Sequence, residues 1–323
     1  MRVVGLADTG RSPWLDSSGH HETNTNRAPE MTLVITVGCP EFVLQVSDRR
    51  FTRLDTRLPV TDEGNKVLVV RARDADLAVS FTGLGNLEGE WTGDWLLERI
   101  GHAKAAESGF DECVEAVREG ADAAFGSIAA KHGRPVPHTF VFAGYHHGAE
   151  RPRVVVVTNC ESGNFRAAPV ANTFSVRDMS SARYPYHQAG MLPALRQDSK
   201  SEIRGLTRKT HSHPAVADLV VQEVRAAASH GKYGRYVGKE CMCVCALKSG
   251  EVQAIYYPTH TNQTTYAPNL IDLFPAQGGG LGHMAIKGMS RTTGGGFQCV
   301  GPSGLRLLDR RELTRLPVAR RSQ

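Results

Sequence analysis

TLVITVGCPEFVLQVSDRR, residues 32–50, decides how the rest of the chain is read. Two runs, 32–38 and 42–47, are dense in β-branched and other apolar residues and flank a Cys-Pro-Glu turn. That texture suits paired strands better than a helix. The stretch closes on a charged triplet, Asp48-Arg49-Arg50. Upstream, residues 1–30 are polar, with Gly, Ser, Thr, Asn and Pro throughout and no sustained period. They read as a disordered or removable extension, up to the change of texture at Met31.

Working downstream, residues 66–71 (KVLVVR) and 77–82 (LAVSFT) are two further strands. A helical block comes next, with Leu87, Trp91, Trp95, Leu96 and Ile100 at roughly helical spacing. A cleaner apolar stripe runs through Phe110, Cys113, Val114, Val117, Ala121, Ala124, Phe125 and Ile128. Lys131-His132-Gly133 and Pro135 make a stop signal. Strands return at 139–145 and 153–159, with a weaker one at about 172–176. Residues 186–197 and 201–209 read as helical. Ser212 as cap and Pro214 in the first turn start a helix that continues to about Ser229. Residues 241–247 and 252–257 form the last strand pair. Runs of strands separated by pairs of helices argue against a parallel α/β wheel. The order implies an α+β fold, a four-layer αββα sandwich of two packed antiparallel sheets flanked by helix pairs. Beyond Pro258 the signal fades. Residues 278–288 and 292–297 are Gly-rich but do not join a strand to a helix, so they read as loops rather than as a phosphate cradle. The division expected is thus an extension over 1–31, a domain over 32–257, and a Gly-rich, basic C-terminal extension over 258–323.

Composition narrows the function classes. The net charge is +5, partly from Arg310, Arg311, Arg315, Arg320 and Arg321. No aromatic residues interleave with these arginines, so they read as a solvated end and no nucleic-acid partner is expected. No apolar run reaches the ~18 residues of a membrane helix, and no secretory leader is evident. A cytoplasmic protein without a membrane partner is expected. The seven cysteines give no disulfide framework, and Cys241, Cys243 and Cys245 alternate as one buried strand face does. His146-His147 reads as a turn. His211-Ser212-His213 precedes a helix, and the sequence places no further ligands around it, so neither a metal nor a cofactor is expected.

Residues 32–50 resemble the opening of proteasome β-subunits and their bacterial relatives, a family of N-terminal-nucleophile hydrolases. That family begins on a nucleophilic threonine, runs through strand, turn and strand, and reaches an acidic residue followed by arginine. Without a gap, the threonine falls on Thr32 and the acid on Asp48. Gly64-Asn65-Lys66 is similar to the family's lysine at the opening of the third strand. Thr82-Gly83-Leu84-Gly85 is similar to the turn whose glycine supplies an oxyanion N–H. Composition and spacing alone do not select Thr32, Asp48, Lys66 and Gly83; the resemblance does, and it spans about 32–257. It implies a threonine-type peptidase or amidase acting on a peptide or small amide, in a homo-oligomer. The alternative it allows is a non-catalytic structural or ligand-binding subunit. The sequence departs from the family pattern in having no serine around His187–Gly190 and no aspartate in 236–240, where Glu240 is the nearest acid. It also has Leu33 after the nucleophile and Met31 before it. Met31 leaves three routes open: an initiator removed to expose Thr32, a propeptide removed autocatalytically, or an extension that stays attached.

Overall fold

The computed structural model describes residues 32–52, 58–62, 64–87, 89–102, 109–160, 170–259, 265–266, 268–272, 284–286, 290–291 and 305–308. The expectations for the N-terminal extension, the Gly-rich 292–297, Cys299 and the arginine-rich end lie outside these residues.

The opening stretch forms β1 (Leu33–Cys39) and β2 (Phe42–Asp48), each buried along its whole length. After them come β3 (Val67–Arg71) and β4 (Ala75–Thr82), then helices α1 (Thr92–His102) and α2 (Phe110–His132). The chain continues through β5 (Thr139–His146), β6 (Arg153–Cys160), β7 (Val170–Asp178) and β8 (Tyr186–Gly190). Two more helices come after these, α3 (Ser199–Thr210) and α4 (His213–Ala228), and then β9 (Cys241–Leu247) and β10 (Val252–Tyr257). The C-terminal part contributes β11 (Asn269–Asp272), β12 (Met284–Ile286) and β13 (Leu305–Leu308). One sheet has the order β8-β1-β2-β9-β10-β13, the other β7-β6-β5-β4-β3-β11-β12. The fold is α+β, with two mainly antiparallel sheets of six and seven strands and four α-helices among the described residues.

Side-chain alternation along the strands sorts the apolar residues into three buried clusters. Leu68, Val70, Leu77, Val79, Phe140 and Phe142 of the second sheet pack with Trp95, Leu96 and Ile100 of α1 and Phe110, Val117 and Phe125 of α2. Leu33, Ile35, Leu44 and Val46 of the first sheet pack with Ile203 of α3 and Val216, Val220 and Val224 of α4. A third cluster draws on both sheets, Val67, Val69, Val141 and Val156 meeting Val43, Met242, Val244 and Ala254. Cys241, Cys243 and Cys245 all lie in the second of these clusters, so the alternation is core packing, as the sequence indicates. The six described cysteines are free thiols.

Four expectations are corrected. Residues 186–190 are a strand rather than the start of a helix, because β8 pairs along the outer side of β1 from Leu33↔Gly190 to Val37↔Tyr186. The next helical residues are a single 3₁₀ turn, Leu192–Ala194, with Pro193 in its first turn and Leu195 already extended. The sheets are not wholly antiparallel: β10 pairs with β13, and β3 with β11, in parallel. Both partners come from beyond Pro258, and within the stretch read as loop Met284–Ile286 is a strand on β11. Finally, Ser212 occupies the N-cap position of α4, but its side chain makes no capping hydrogen bond. The stop at the end of α2 is as read, with Gly133 in the left-handed conformation at φ 67°. No described helix is long and apolar enough to cross a membrane.

Candidate functional site

Thr32 lies at the entrance to β1 and is 3% exposed. Its carbonyl accepts a hydrogen bond from the Met191 N–H at 2.9 Å. Gly190 closes against it from β8: a Cβ there would sit 1.5 Å from the Thr32 carbonyl oxygen, and its φ is +98°. Only glycine meets both conditions. The pairing that the sequence reading missed is therefore what fixes the Thr32 backbone.

The residue after Thr32 connects it to the acid. The Leu33 N–H donates to Asp48 Oδ1 at 2.9 Å. Asp48, at the end of β2, is fully buried. Its Oδ2 accepts from the Arg50 N–H at 2.9 Å, the Gly238 N–H at 3.0 Å and Lys66 Nζ at 3.1 Å. The Lys66 side chain is also 0% exposed, and its ammonium donates in addition to the Arg50 carbonyl and faces the Phe51 ring at 5.0 Å. Burying such a pair costs several kcal/mol per ion unless the remaining hydrogen-bonding capacity is filled, as three backbone N–H groups fill it here.

Gly83 follows β4 at φ +114°. It is tied to the group through the backbone, since the Phe81 N–H donates to the Lys66 carbonyl at 3.2 Å. Its turn is held by a residue that the sequence did not single out. His138 Nδ1 accepts from the Leu84 N–H at 3.1 Å, and a Cβ on Gly83 would lie 2.5 Å from the same nitrogen. The His138 ring is enclosed by Phe81, Phe125 and Phe140. Burial pushes its pKa down to about 3, so the imidazole is neutral and can accept at Nδ1. A histidine at the mouth of a strand carries no signal of such a role until its surroundings are known.

The remaining sequence-level sites resolve differently. Where an aspartate was missing from 236–240, the segment contributes the Gly238 backbone N–H to Asp48. Glu240 does not replace it: its carboxylate accepts from Tyr256 Oη at 2.5 Å and Thr259 Oγ1 at 3.3 Å. Where a serine was missing near His187, the chain contributes Gly190 and Met191 to the Thr32 carbonyl. His187 itself is half-buried, and the loss of solvent pushes its imidazole down to about 4, with Arg177 adding to the effect.

The neutral burial of His138 has a measurable consequence. Its folded pKa lies below the unfolded value of about 6.5. The unfolded chain therefore takes up a proton below pH 6.5 that the native chain refuses until about pH 3. This contribution is fully present above pH 6.5 and is lost as the pH falls, by ~1.4 kcal/mol per pH unit. His138→Phe is expected to cost about 1–3 kcal/mol at pH 7, because the buried Leu84 N–H loses its acceptor. It should also reduce the loss between pH 7 and pH 5 by about 2 kcal/mol in urea unfolding. An unchanged pH dependence in that variant would contradict the neutral, buried assignment.

No protein-family model matches the sequence, and no curated protein matches it. Solved structures similar to the chain include Anbu proteins. The Anbu (Gly-1) mutant from Hyphomicrobium sp. strain MC1 is 15% identical over 71% of this chain and 88% of that one, with a TM-score of 0.45. Anbu, described as an ancestral β-subunit, from Yersinia bercovieri is 11% identical over 67% and 82%, also at 0.45. The Anbu complex from Pseudomonas aeruginosa, solved as a helical assembly, is 12% identical over 67% and 81%, at 0.42. These findings correct the family read from residues 32–50: the similar structures are Anbu proteins, a different family from the proteasome β-subunits, though proteasome-like.

Proposed function

We propose that the chain is a hydrolase of peptide or other amide bonds that uses Thr32 as an N-terminal nucleophile, on a four-layer αββα sandwich spanning 32–257. The observation that carries the reading is the Asp48–Lys66 pair, fully buried at 3.1 Å beside the entrance to β1 and bonded through Leu33 to the backbone of the nucleophile. A buried ion pair is a poor way to gain stability, and an apolar pair of similar volume serves a core at least as well. Its presence next to a threonine is better explained by chemistry.

In this reading a break before Thr32 frees its α-amine, whose pKa of ~8 allows it to accept a proton at neutral pH. The amine takes the Thr32 hydroxyl proton as Oγ1 attacks the substrate carbonyl. The Lys66 ammonium, held and charge-balanced by Asp48, favours the developing alkoxide. The Gly83 N–H donates to the oxyanion. Collapse breaks the C–N bond, the leaving amine takes the proton from the Thr32 ammonium, and an ester remains on Oγ1. Water, deprotonated by the same amine, then hydrolyses the ester and releases the acid. His138 acts as a positioning residue by holding the Gly83–Leu84 turn. Residues 1–31 are then a segment to be removed, and 258–323 an extension whose strands edge both sheets. The proposal includes a homo-oligomer in the cytoplasm.

One observation favours a second reading, a non-catalytic structural or ligand-binding subunit: in the sequence Thr32 is preceded by Met31, so its nitrogen is a peptide nitrogen unless the chain is cut there. Protein prepared with Thr32 as its first residue decides between the two. It is expected to hydrolyse peptide amides, while protein beginning at Met1 and left uncut does not. Equal inactivity of both forms against a broad panel of peptide amides would favour the second reading.

A further inference from the structure

At the opposite end of β1 from Thr32 lies a second cluster of chemically capable side chains. A strand rises ~3.3 Å per residue, so Cys39 is roughly 20 Å from Thr32. The ligand atoms of Cys39, Glu41 and His211 all lie within 4.8 Å of one another. His211 Nδ1 is 2.6 Å from Glu41 Oε2. From these atoms we infer that Cys39, Glu41 and His211 form a site for a divalent transition-metal ion of the zinc type, with the fourth position open to water.

Thiol, imidazole and carboxylate together match the ligand preferences of Zn²⁺ and Co²⁺, not those of Mg²⁺ or Ca²⁺. Bonds of ~2.3 Å to sulfur and ~2.0–2.1 Å to nitrogen and oxygen place tetrahedral donors roughly 3.3–3.6 Å apart. With the three ligand atoms within 4.8 Å of one another, the Glu41–His211 contact opens from 2.6 Å and the thiol needs to close by no more than ~1.3 Å to reach that spacing. Cys39 ends β1 and Glu41 sits in the turn that follows it, and this hairpin end is anchored on both sides. The Cys39 carbonyl accepts from Tyr145 Oη at 2.9 Å, and the Glu41 carbonyl accepts from the Lys248 N–H at 3.0 Å. Cys39 is fully buried while Glu41 is 52% exposed, so an ion reaches the thiol from the Glu41 side.

The third ligand comes from the junction of α3 and α4. His211 is the one non-glycine residue at positive φ among those described, at φ 48° and ψ 21°. Its neighbour His213 turns elsewhere, with Nε2 3.0 Å from Gln253 Oε1. The left-handed backbone is an unfavourable conformation for histidine, and here it directs the ring at the hairpin. In the bare protein burial pushes the Cys39 thiol up to about 12. Burial acts against the Glu41 carboxyl, yet hydrogen bonds from Cys39 and His211 hold it below the usual range. Coordination removes the thiol proton outright, as an ion's charge does for any ligating thiol. The ion would clip the β1–β2 hairpin to the helix junction, and the site is independent of the hydrolase reading.

Titration of the full chain with Co²⁺, followed by Zn²⁺ displacement, tests the site. The expected result is one equivalent bound, with a sulfur-to-cobalt charge-transfer band and the visible intensity of a tetrahedral ion. Cys39→Ser should abolish the band. His211→Gly supplies a variant that keeps its fold, since glycine relieves the left-handed backbone. It should lose more affinity than the ~10–100-fold that accompanies loss of an outer partner of a ligand. Zn²⁺ should raise the melting temperature of the parent and not that of His211→Gly. No binding by the parent, or a band and affinity unchanged in both variants, would overturn the proposal and leave a thiol–carboxylate–imidazole hydrogen-bond chain.

Discussion

Asp48→Asn is expected to destabilise the protein by about 3–5 kcal/mol and to abolish hydrolysis by protein starting at Thr32. The size reflects the groups that the carboxylate holds. Lys66, fully buried, loses the anion 3.1 Å away. The amide offers one acceptor oxygen where the Leu33, Arg50 and Gly238 N–H groups and the ammonium all require one. Lys66→Met removes the other half of the pair and should behave differently. The carboxylate retains its three backbone donors, so the loss of stability is smaller than for Asp48→Asn, while hydrolysis is lost equally. Urea unfolding and peptide-amide hydrolysis on the same preparations separate the two effects. If the pair served packing alone, activity would follow stability, and Lys66→Met would be the more active of the two. Hydrolysis surviving in Lys66→Met would remove the electrostatic role given to Lys66.

Thr32→Ala is the second large effect. In protein beginning at position 32 it deletes a hydroxyl and a methyl and leaves the α-amine, Asp48 and Lys66 in place. Loss of a nucleophile from a site of this kind lowers turnover by roughly 10⁴–10⁶-fold. Stability should change by only about 1 kcal/mol, because the Met191–Thr32 and Leu33–Asp48 bonds are made by backbone atoms on the Thr32 side. Thr32→Ser restores the hydroxyl and should recover a large part of the activity. Equal rates for parent and Thr32→Ala would assign any hydrolysis to another group.

The elements legible in the sequence are those whose own composition decides them. β1, β2, β9 and β10 are dense in β-branched or alternating apolar residues, and α2 carries an uninterrupted apolar stripe closed by Gly133. The elements that were misread are decided by a partner. β8 reads Tyr-His-Gln-Ala-Gly, with no β-branched residue, and is a strand because β1 offers its edge. β11 and β13 are four residues each and form by parallel pairing with strands far away in sequence, β3 and β10. Local pattern carries no trace of either. In the candidate site, Thr32, Asp48, Lys66 and Gly83 were found by resemblance, and Asp48 and Lys66 are joined directly in the fold. The groups that complete it are backbone N–H donors and a buried neutral histidine, and side-chain identity does not announce these. The same holds for Cys39, Glu41 and His211: the sequence separates Glu41 from His211 by 170 positions, and only the fold makes them neighbours.

Whether Thr32 acts through a free α-amine is read from the intact mass and N-terminal sequence of the protein isolated from its natural host. The expected chain begins at Thr32. A hydrolytically active chain that still carries residues 1–31 would contradict it, because the proposed base would then be a peptide nitrogen with no proton affinity at neutral pH.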